Sequence, residues 1–152
     1  MTVTNDISRR SAVIWVTLAT ALGAAFRFYG LGWGAPYFHF HIDEHIVFTY
    51  ADALTRSTRE AANAAKFFMY SPFPMYVLNG IVAIHNAVSH RLDLAVPRDQ
   101  VTYMLLGRAI SATLGTLTIP LAYVIARRLS GRRGGVFAAF AASLVLRVRA
   151  SA

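Results

Sequence analysis

The stretch MLLGRAISATLGTLTIPLAYVIA, Met104 to Ala126, decides the fold class of this chain. Its only charged residue is Arg108 near the start, and the remainder is apolar, small or hydroxylated. About 20 mainly apolar residues are needed to cross the hydrocarbon core of a bilayer. Pro120 lies within the stretch, and membrane helices tolerate an internal proline because their neighbours satisfy the freed backbone groups. The stretch therefore predicts a transmembrane helix over residues 104–126.

The composition of the whole chain points the same way. The 152 residues are 56% hydrophobic and only 14% charged, with a mean hydropathy of +0.46, whereas a soluble domain carries about 25% charged residues. The net charge of +8 comes almost entirely from arginine, clustered beside apolar runs. That placement favours membrane topology, and the sequence predicts no nucleic-acid partner. The absence of cysteine excludes disulfides and thiolate chemistry.

Two further apolar runs flank arginine clusters. Arg9 and Arg10 precede an uncharged run that continues past Arg27 to Trp33, which predicts a first span over residues 11–33. A cleaved signal peptide is the alternative for this run, but its hydrophobicity continues beyond the small residues where cleavage would occur. The cluster RRLSGRR, residues 127–133, is followed by an apolar run that is too short to cross comfortably.

The arginine clusters also predict the topology. Arginine-rich loops stay in the cytoplasm, so Arg9–Arg10 and residues 127–133 require an even number of crossings between them. The run 73–90 carries Asn79, His85 and Asn86, which are unfavourable at mid-bilayer, so we expect it to lie at the outer membrane surface.

No strand-like alternation persists, and the predicted fold is an all-α integral membrane protein. Its predicted order is a cytoplasmic N-terminus 1–10, a transmembrane helix 11–33, an extracytoplasmic loop 34–103 with helices near 43–57 and 73–90, a transmembrane helix 104–126, a cytoplasmic turn 127–133, an incomplete third helix 134–146 and an atypical tail 147–152.

The stretch HFHIDEH, residues 39–45, holds the densest group of chemically capable side chains. In the simplest interpretation, Asp43 caps a helix and Glu44 favours the positive end of its dipole. In a second interpretation, His39, His41 and His45 contribute to a divalent metal site, since residues 41–45 fit the pattern H-x-x-E-H. In a third, a carboxylate just outside the bilayer acts as general base for an acceptor hydroxyl. The residues alone leave all three open, and no metal is required by the sequence.

Four segments in order resemble the N-terminal part of polytopic GT-C glycosyltransferases, especially family 39 and the protein-mannosyltransferase-like group. A span is followed by Pro36 and by H-x-D-E, here His41-Ile42-Asp43-Glu44. KFFMYSPFPMY, Lys66 to Tyr76, is similar to the aromatic and proline segment of that family. GRAISATLGTLTIPLAYVIARRLSGRRGG, Gly107 to Gly135, is similar to its second span and cytoplasmic turn, and an alanine-rich span start follows. The proline often found before the acidic pair is Ile42 here.

The resemblance implies transfer of a sugar from a polyprenyl-phosphate-linked donor to an acceptor hydroxyl at the outer membrane face. It assigns the general base to Asp43 and a site-shaping role to its neighbour Glu44. Lys66 and Arg108 are candidates for contacts to the donor phosphate. Their alternatives are a surface lysine and an arginine that anchors the end of a span.

Members of that family continue through many more spans than this sequence contains. The apolar run after Gly134 leads into LRVRASA, residues 146–152, where arginines replace the apolar continuation. We therefore expect a fragment or truncated product that is inactive by itself. The competing hypothesis is a small non-enzymatic membrane protein that binds a metal or a partner through residues 39–45.

Overall fold

The structure is a computed structural model, and it describes residues 6–34, 72–93 and 96–144 together with Ala53. Within these residues three helices have described bounds, Ala53 is helical as well, and no residue is in a strand, which confirms the all-α prediction for the described part. The helices are α1, Arg9–Phe28; α2, Pro72–Val88; and α3, Pro97–Leu144. Two of them, α1 and α3, are long and apolar enough to cross a membrane.

Helix α1 begins and ends with local hydrogen bonds that its sequence explains. Ser8 is the N-cap, and its hydroxyl accepts a hydrogen bond from the N–H of Ser11 at 3.1 Å, as serine commonly does at this position. The helix ends at Phe28, where the N–H of Tyr29 still donates to the carbonyl of Ala25 at 3.0 Å. Turns occupy the residues from there to Gly34, so the helix covers the first part of the span predicted over 11–33.

Helix α3 is interrupted at Ser130 and Gly131, inside the stretch predicted as a turn over 127–133. Ser130 has φ −131° and ψ 16°, and Gly131 has φ 73° and ψ −176°. A positive φ is readily adopted by glycine, which has no Cβ to clash with the backbone. The break divides α3 into a first arm, 97–129, and a second arm, 132–144.

The chain divides into two compact units, and the boundary falls within α3. The first unit contains α1 and the part of α3 from Ser111 onward; the second unit is Gly32–Ile110. In the first unit, Ile119 of the first arm packs with Ala139 of the second arm and Ala19 of α1 in one buried cluster. Because Ile119 and Ala139 lie at similar distances along the chain from the break, the two arms fold back on each other as a helical hairpin.

Small residues form the buried face of α1. Its buried residues are Ala12, Ala19 and Gly23, whereas large apolar side chains such as Ile14 and Leu18 are exposed. Membrane helices associate through small residues because lipid tails are as apolar as leucine, so their large side chains can face lipid. This distribution suits a bilayer and would be unfavourable in water.

One end of the first unit holds both arginine-rich segments. The carboxylate of Asp6 lies 3.5 Å from the Arg132 guanidinium and accepts from the Arg132 backbone N–H at 3.4 Å. The Arg132 guanidinium also donates to the carbonyl of Ile7 at 3.2 Å. The start of α1 and the break of α3 therefore lie side by side, and we call this the arginine end. Phe28 and Ser111 lie toward the opposite end of the unit, since both helices run its length.

The second unit has a core formed between α2 and the start of α3. Leu78 and Val82 of α2 are buried against Tyr103 and Met104, and Leu92 from the connection completes the cluster. The other side of α2 exposes large apolar residues, including Phe73, Ile84 and Val88. A helix that is apolar on both sides is typical of a protein core or a membrane environment, and the membrane-surface position predicted for it stays a prediction.

Candidate functional site

The acidic motif and its neighbours fall outside the described residues. The predicted catalytic pair Asp43 and Glu44 is among them, as are His39, His41 and His45 of the alternative metal site and the phosphate-contact candidate Lys66. The helix predicted over 43–57 also lies outside the described residues, apart from Ala53. Their proposed roles stay predictions. Arg108 is the one residue of the predicted site whose contacts are described.

Arg108 lies in the second unit and binds the backbone that leads towards the acidic motif. Its Nη1 donates to the carbonyl oxygen of Trp33 at 2.7 Å. The bond joins Arg108 to the turn that ends at Gly34, and the anchoring of a span end by Arg108 stays a prediction. Its contact to a donor phosphate stays a prediction.

A second group of polar side chains, which the sequence did not single out, joins the end of α2 to the start of α3. The Asp99 carboxylate lies 3.1 Å from Nε2 of His90 through Oδ1, and its Oδ2 accepts from the backbone N–H of Asp93 at 2.9 Å. Asn86 adds a third bond, because its side-chain oxygen accepts from the N–H of Leu92 at 3.0 Å. We call Asp99, His90 and the Asp93 backbone N–H the carboxylate clasp.

The sequence did contain a signal for the clasp. Pro97 begins α3 and Asp99 follows in its first turn, and both residue types are favoured at helix starts. Predicting that Asp99 pairs with His90 would have required knowing how the segment after α2 returns to the start of α3. That return depends on the packing of Leu92 in the core of the second unit.

The clasp lowers the pKa of the Asp99 carboxyl group. The hydrogen bond from the Asp93 backbone N–H, followed by the contact with His90, lowers the pKa of Asp99 below its ordinary value of 3.8. Both contacts favour the ionised form. Asp99 precedes the span predicted over 104–126, so this carboxylate lies outside that span. The residue is itself buried, with 6% of its surface exposed.

The clasp resembles a carboxylate–imidazole pair, but its surroundings favour a structural role. The side chain of His90 is 56% exposed, and its ring packs edge-on against that of His85 with centroids 5.6 Å apart. Across the described ranges 6–34, 72–93 and 96–144, no three His, Cys, Asp or Glu side chains are grouped as a metal site would require. The clasp therefore closes the connection between α2 and α3.

We expect stability to depend on pH through Asp99. Because its pKa is lowered on folding, the ionised carboxylate stabilises the fold fully above about pH 4, and this contribution is lost as the pH falls through the lowered pKa. Asp99→Asn should lower the thermal unfolding midpoint in detergent micelles at pH 6 and reduce the further drop between pH 6 and pH 3. Arg91→Gln, at an exposed position of the same connection that does not contribute to the shift, is the control. Identical pH profiles for Asp99→Asn and the wild type would contradict this role.

No family profile, no curated protein and no solved structure matches this chain.

Proposed function

We propose that this sequence forms the N-terminal part of a polytopic GT-C glycosyltransferase that uses a polyprenyl-phosphate-linked sugar. The observation that supports this best is the contact of Asp6 with Arg132. It brings the two arginine-rich segments to one end of the first unit, as expected for two spans that both have their arginine-rich ends on the same side. The order of elements in the resembling enzymes has this form: a span, a long outer loop with the acidic motif, and a returning span.

The proposed orientation follows from the charges. Arg9, Arg10 and the arginines of 127–133 lie at the arginine end, which is assigned to the cytoplasm because arginine-rich segments are retained there. The loop 34–103 is then extracytoplasmic, and HFHIDEH lies on the outer side of the cytoplasmic membrane. A carboxylate in that position can reach both a lipid-linked donor and an extracytoplasmic acceptor.

The proposed reaction is inverting sugar transfer. Asp43 accepts the proton of the acceptor hydroxyl as its oxygen attacks the anomeric carbon of the sugar. The bond between that carbon and the phosphate oxygen breaks, and the electron pair leaves with the polyprenyl phosphate. Glu44 shapes the site, while Lys66 and Arg108 contact the donor phosphate, where a guanidinium stabilises the developing charge.

The orientation can be measured directly because the natural sequence contains no cysteine. Single cysteines at Ser8, Thr49 and Ser130 place one thiol before α1, one beside the acidic motif and one at the break of α3. In intact cells, a membrane-impermeant maleimide is expected to label only the cysteine at Thr49. All three should react after the membrane is permeabilised. Labelling of the Ser8 or Ser130 variant in intact cells would contradict the proposed topology.

The function itself is tested by sugar transfer. A polypeptide that carries this sequence at its start and continues into further spans is expressed in membranes and supplied with a radiolabelled polyprenyl-phosphate hexose. Transfer of label to endogenous acceptors, absent from membranes without the polypeptide, is the expected result. Zinc uptake that depends on His41 and His45, without any transfer, would favour the metal-binding alternative.

A further inference from the structure

The arginine end contains an open groove that the proposed sugar transfer does not use. Its volume is about 450 Å³, and it is lined by Asp6, Arg9, Arg127, Gly131 and Arg132. All of these residues belong to the first unit. The groove thus lies between the start of α1 and the break of α3, at the end opposite to Phe28 and Ser111.

The groove carries a surplus of positive charge. Three guanidinium groups and one carboxylate line it, a net charge of +2. Asp6 is committed to Arg132 through contacts to the backbone N–H and the guanidinium. The surplus therefore comes from Arg9 and Arg127. The guanidinium carbon of Arg127 lies 5.8 Å from the centroid of the Tyr123 ring, which fixes this cation at the edge of the groove.

Arginine pairs favour one chemical class of ligand. A guanidinium presents a planar fork of N–H donors that matches two oxygens of a phosphate group. A groove with two surplus guanidinium groups is therefore suited to a phosphate-bearing anion. The carboxylate of Asp6 would oppose such an anion, and its pairing with Arg132 limits that opposition.

The surface around the groove indicates which phosphate compound it receives. Leu129, next to the break of α3, is 82% exposed, and Val13 in the first turns of α1 is 57% exposed. Both helices that contribute to the groove thus carry exposed apolar side chains, which provide a surface for acyl chains on the same elements as the headgroup site. A soluble phosphate ester would gain nothing from these apolar side chains. Basic pockets between membrane helices bind phospholipid headgroups.

We propose that this groove binds the headgroup phosphate of an anionic phospholipid. The lipid joins the start of α1 to the break of α3 by bridging Arg9 and Arg127. This role requires only that α1 and α3 lie in a membrane, and it is independent of sugar transfer. A failed transfer assay would leave it intact.

The test is retention of lipid by the full chain in detergent micelles, measured by native mass spectrometry. Phosphatidylglycerol is titrated against phosphatidylcholine, and the wild type is expected to retain one phosphatidylglycerol preferentially. Arg9→Gln with Arg127→Gln should weaken retention by roughly 25-fold, since each cation near an anionic surface contributes about a fivefold effect. Arg91→Gln with Arg98→Gln removes the same charge from exposed positions of the second unit and should leave retention unchanged.

A variant that is expected to strengthen lipid retention distinguishes loss of the binding site from misfolding. Asp6→Asn removes the opposing charge and keeps an oxygen acceptor for the Arg132 backbone. It should strengthen retention by at most about fivefold, because pairing with Arg132 already offsets part of that charge. Unchanged retention by the Arg9 and Arg127 double variant would overturn the proposal, as would equal retention of phosphatidylcholine by the wild type. Competition by glycerol 3-phosphate as strong as that by phosphatidylglycerol would show that the groove takes soluble phosphates, which would overturn the lipid assignment.

Discussion

Replacing Asp43 with asparagine is expected to lower sugar transfer by roughly 10²–10⁴-fold, the usual contribution of a general base. The amide has nearly the same shape as the carboxylate but cannot accept the proton of the acceptor hydroxyl. The attacking oxygen would then lose its proton to water, and the barrier to attack on the anomeric carbon would rise. The measurement is the initial rate of label transfer from a radiolabelled polyprenyl-phosphate hexose in membranes, at saturating donor.

Two control variants test whether the loss of sugar transfer is specific to Asp43. Glu44→Gln should lower transfer less than Asp43→Asn, because the proposal gives Glu44 a role in shaping the site. Asp52 lies on a polar side of the helix predicted over 43–57, so Asp52→Asn is expected to leave the rate of sugar transfer unchanged. Donor binding should survive in the Asp43 variant, since the base acts on the acceptor. A rate for Asp43→Asn equal to that of the wild type would exclude Asp43 as the base.

Substituting leucine for Gly23 is expected to destabilise the first unit by about 3 kcal/mol, the upper part of the range for overpacking a filled core. A Cβ atom at Gly23 would overlap Cδ1 of Ile119 and lie 2.7 Å from Nη1 of Arg27. Ile119 is fully buried and cannot move aside freely. Nη1 of Arg27 donates to the Gly23 carbonyl at 2.9 Å, and its Nη2 donates to the Ala142 carbonyl at 3.1 Å. The new side chain would therefore disturb both the packing and these bonds.

Gly80→Leu is the matched control, because Gly80 is also inside a helix but no atom lies within 4 Å of its added Cβ. There the loss of glycine should leave stability unchanged or raise it by about 0.5–1 kcal/mol through helix propensity. Unfolding is followed by circular dichroism as the fraction of sodium dodecyl sulfate in mixed micelles rises. If both variants unfolded at the same fraction as the wild type, the close approach of α1 and α3 at Gly23 would be wrong.

Sequence patterns predicted the main apolar helices because the determining information is local. An apolar run with a flanking arginine cluster suffices to predict a span, and the RRLSGRR stretch was predicted as a turn where α3 is now interrupted at Gly131. The N-terminal boundary of α3 was not predicted, because the helix begins at Pro97 rather than near Met104. That extension is accompanied by the carboxylate clasp and by burial of Tyr103 against α2, which are contacts between separate elements.

In the candidate site, too, local sequence predicts some features, whereas others depend on contacts between separate segments. Arg108 could be chosen from the sequence as an arginine near the start of a span, but its contact with the carbonyl of Trp33 joins residues 75 positions apart. Asp43 and Glu44 were chosen by resemblance, and their geometry lies outside the described residues. The groove at the arginine end could not be predicted, because the contact between Asp6 and Arg132 joins residues 126 positions apart.

The contact between Asp6 and Arg132 also sets an order of events during biosynthesis. Its partners are 126 residues apart, so the start of α1 is made long before the residue that it will bind. The segment around Asp6 can therefore form this contact only after the break of α3 has been synthesised. The contact thus makes the position of the start of α1 depend on a residue that is synthesised much later.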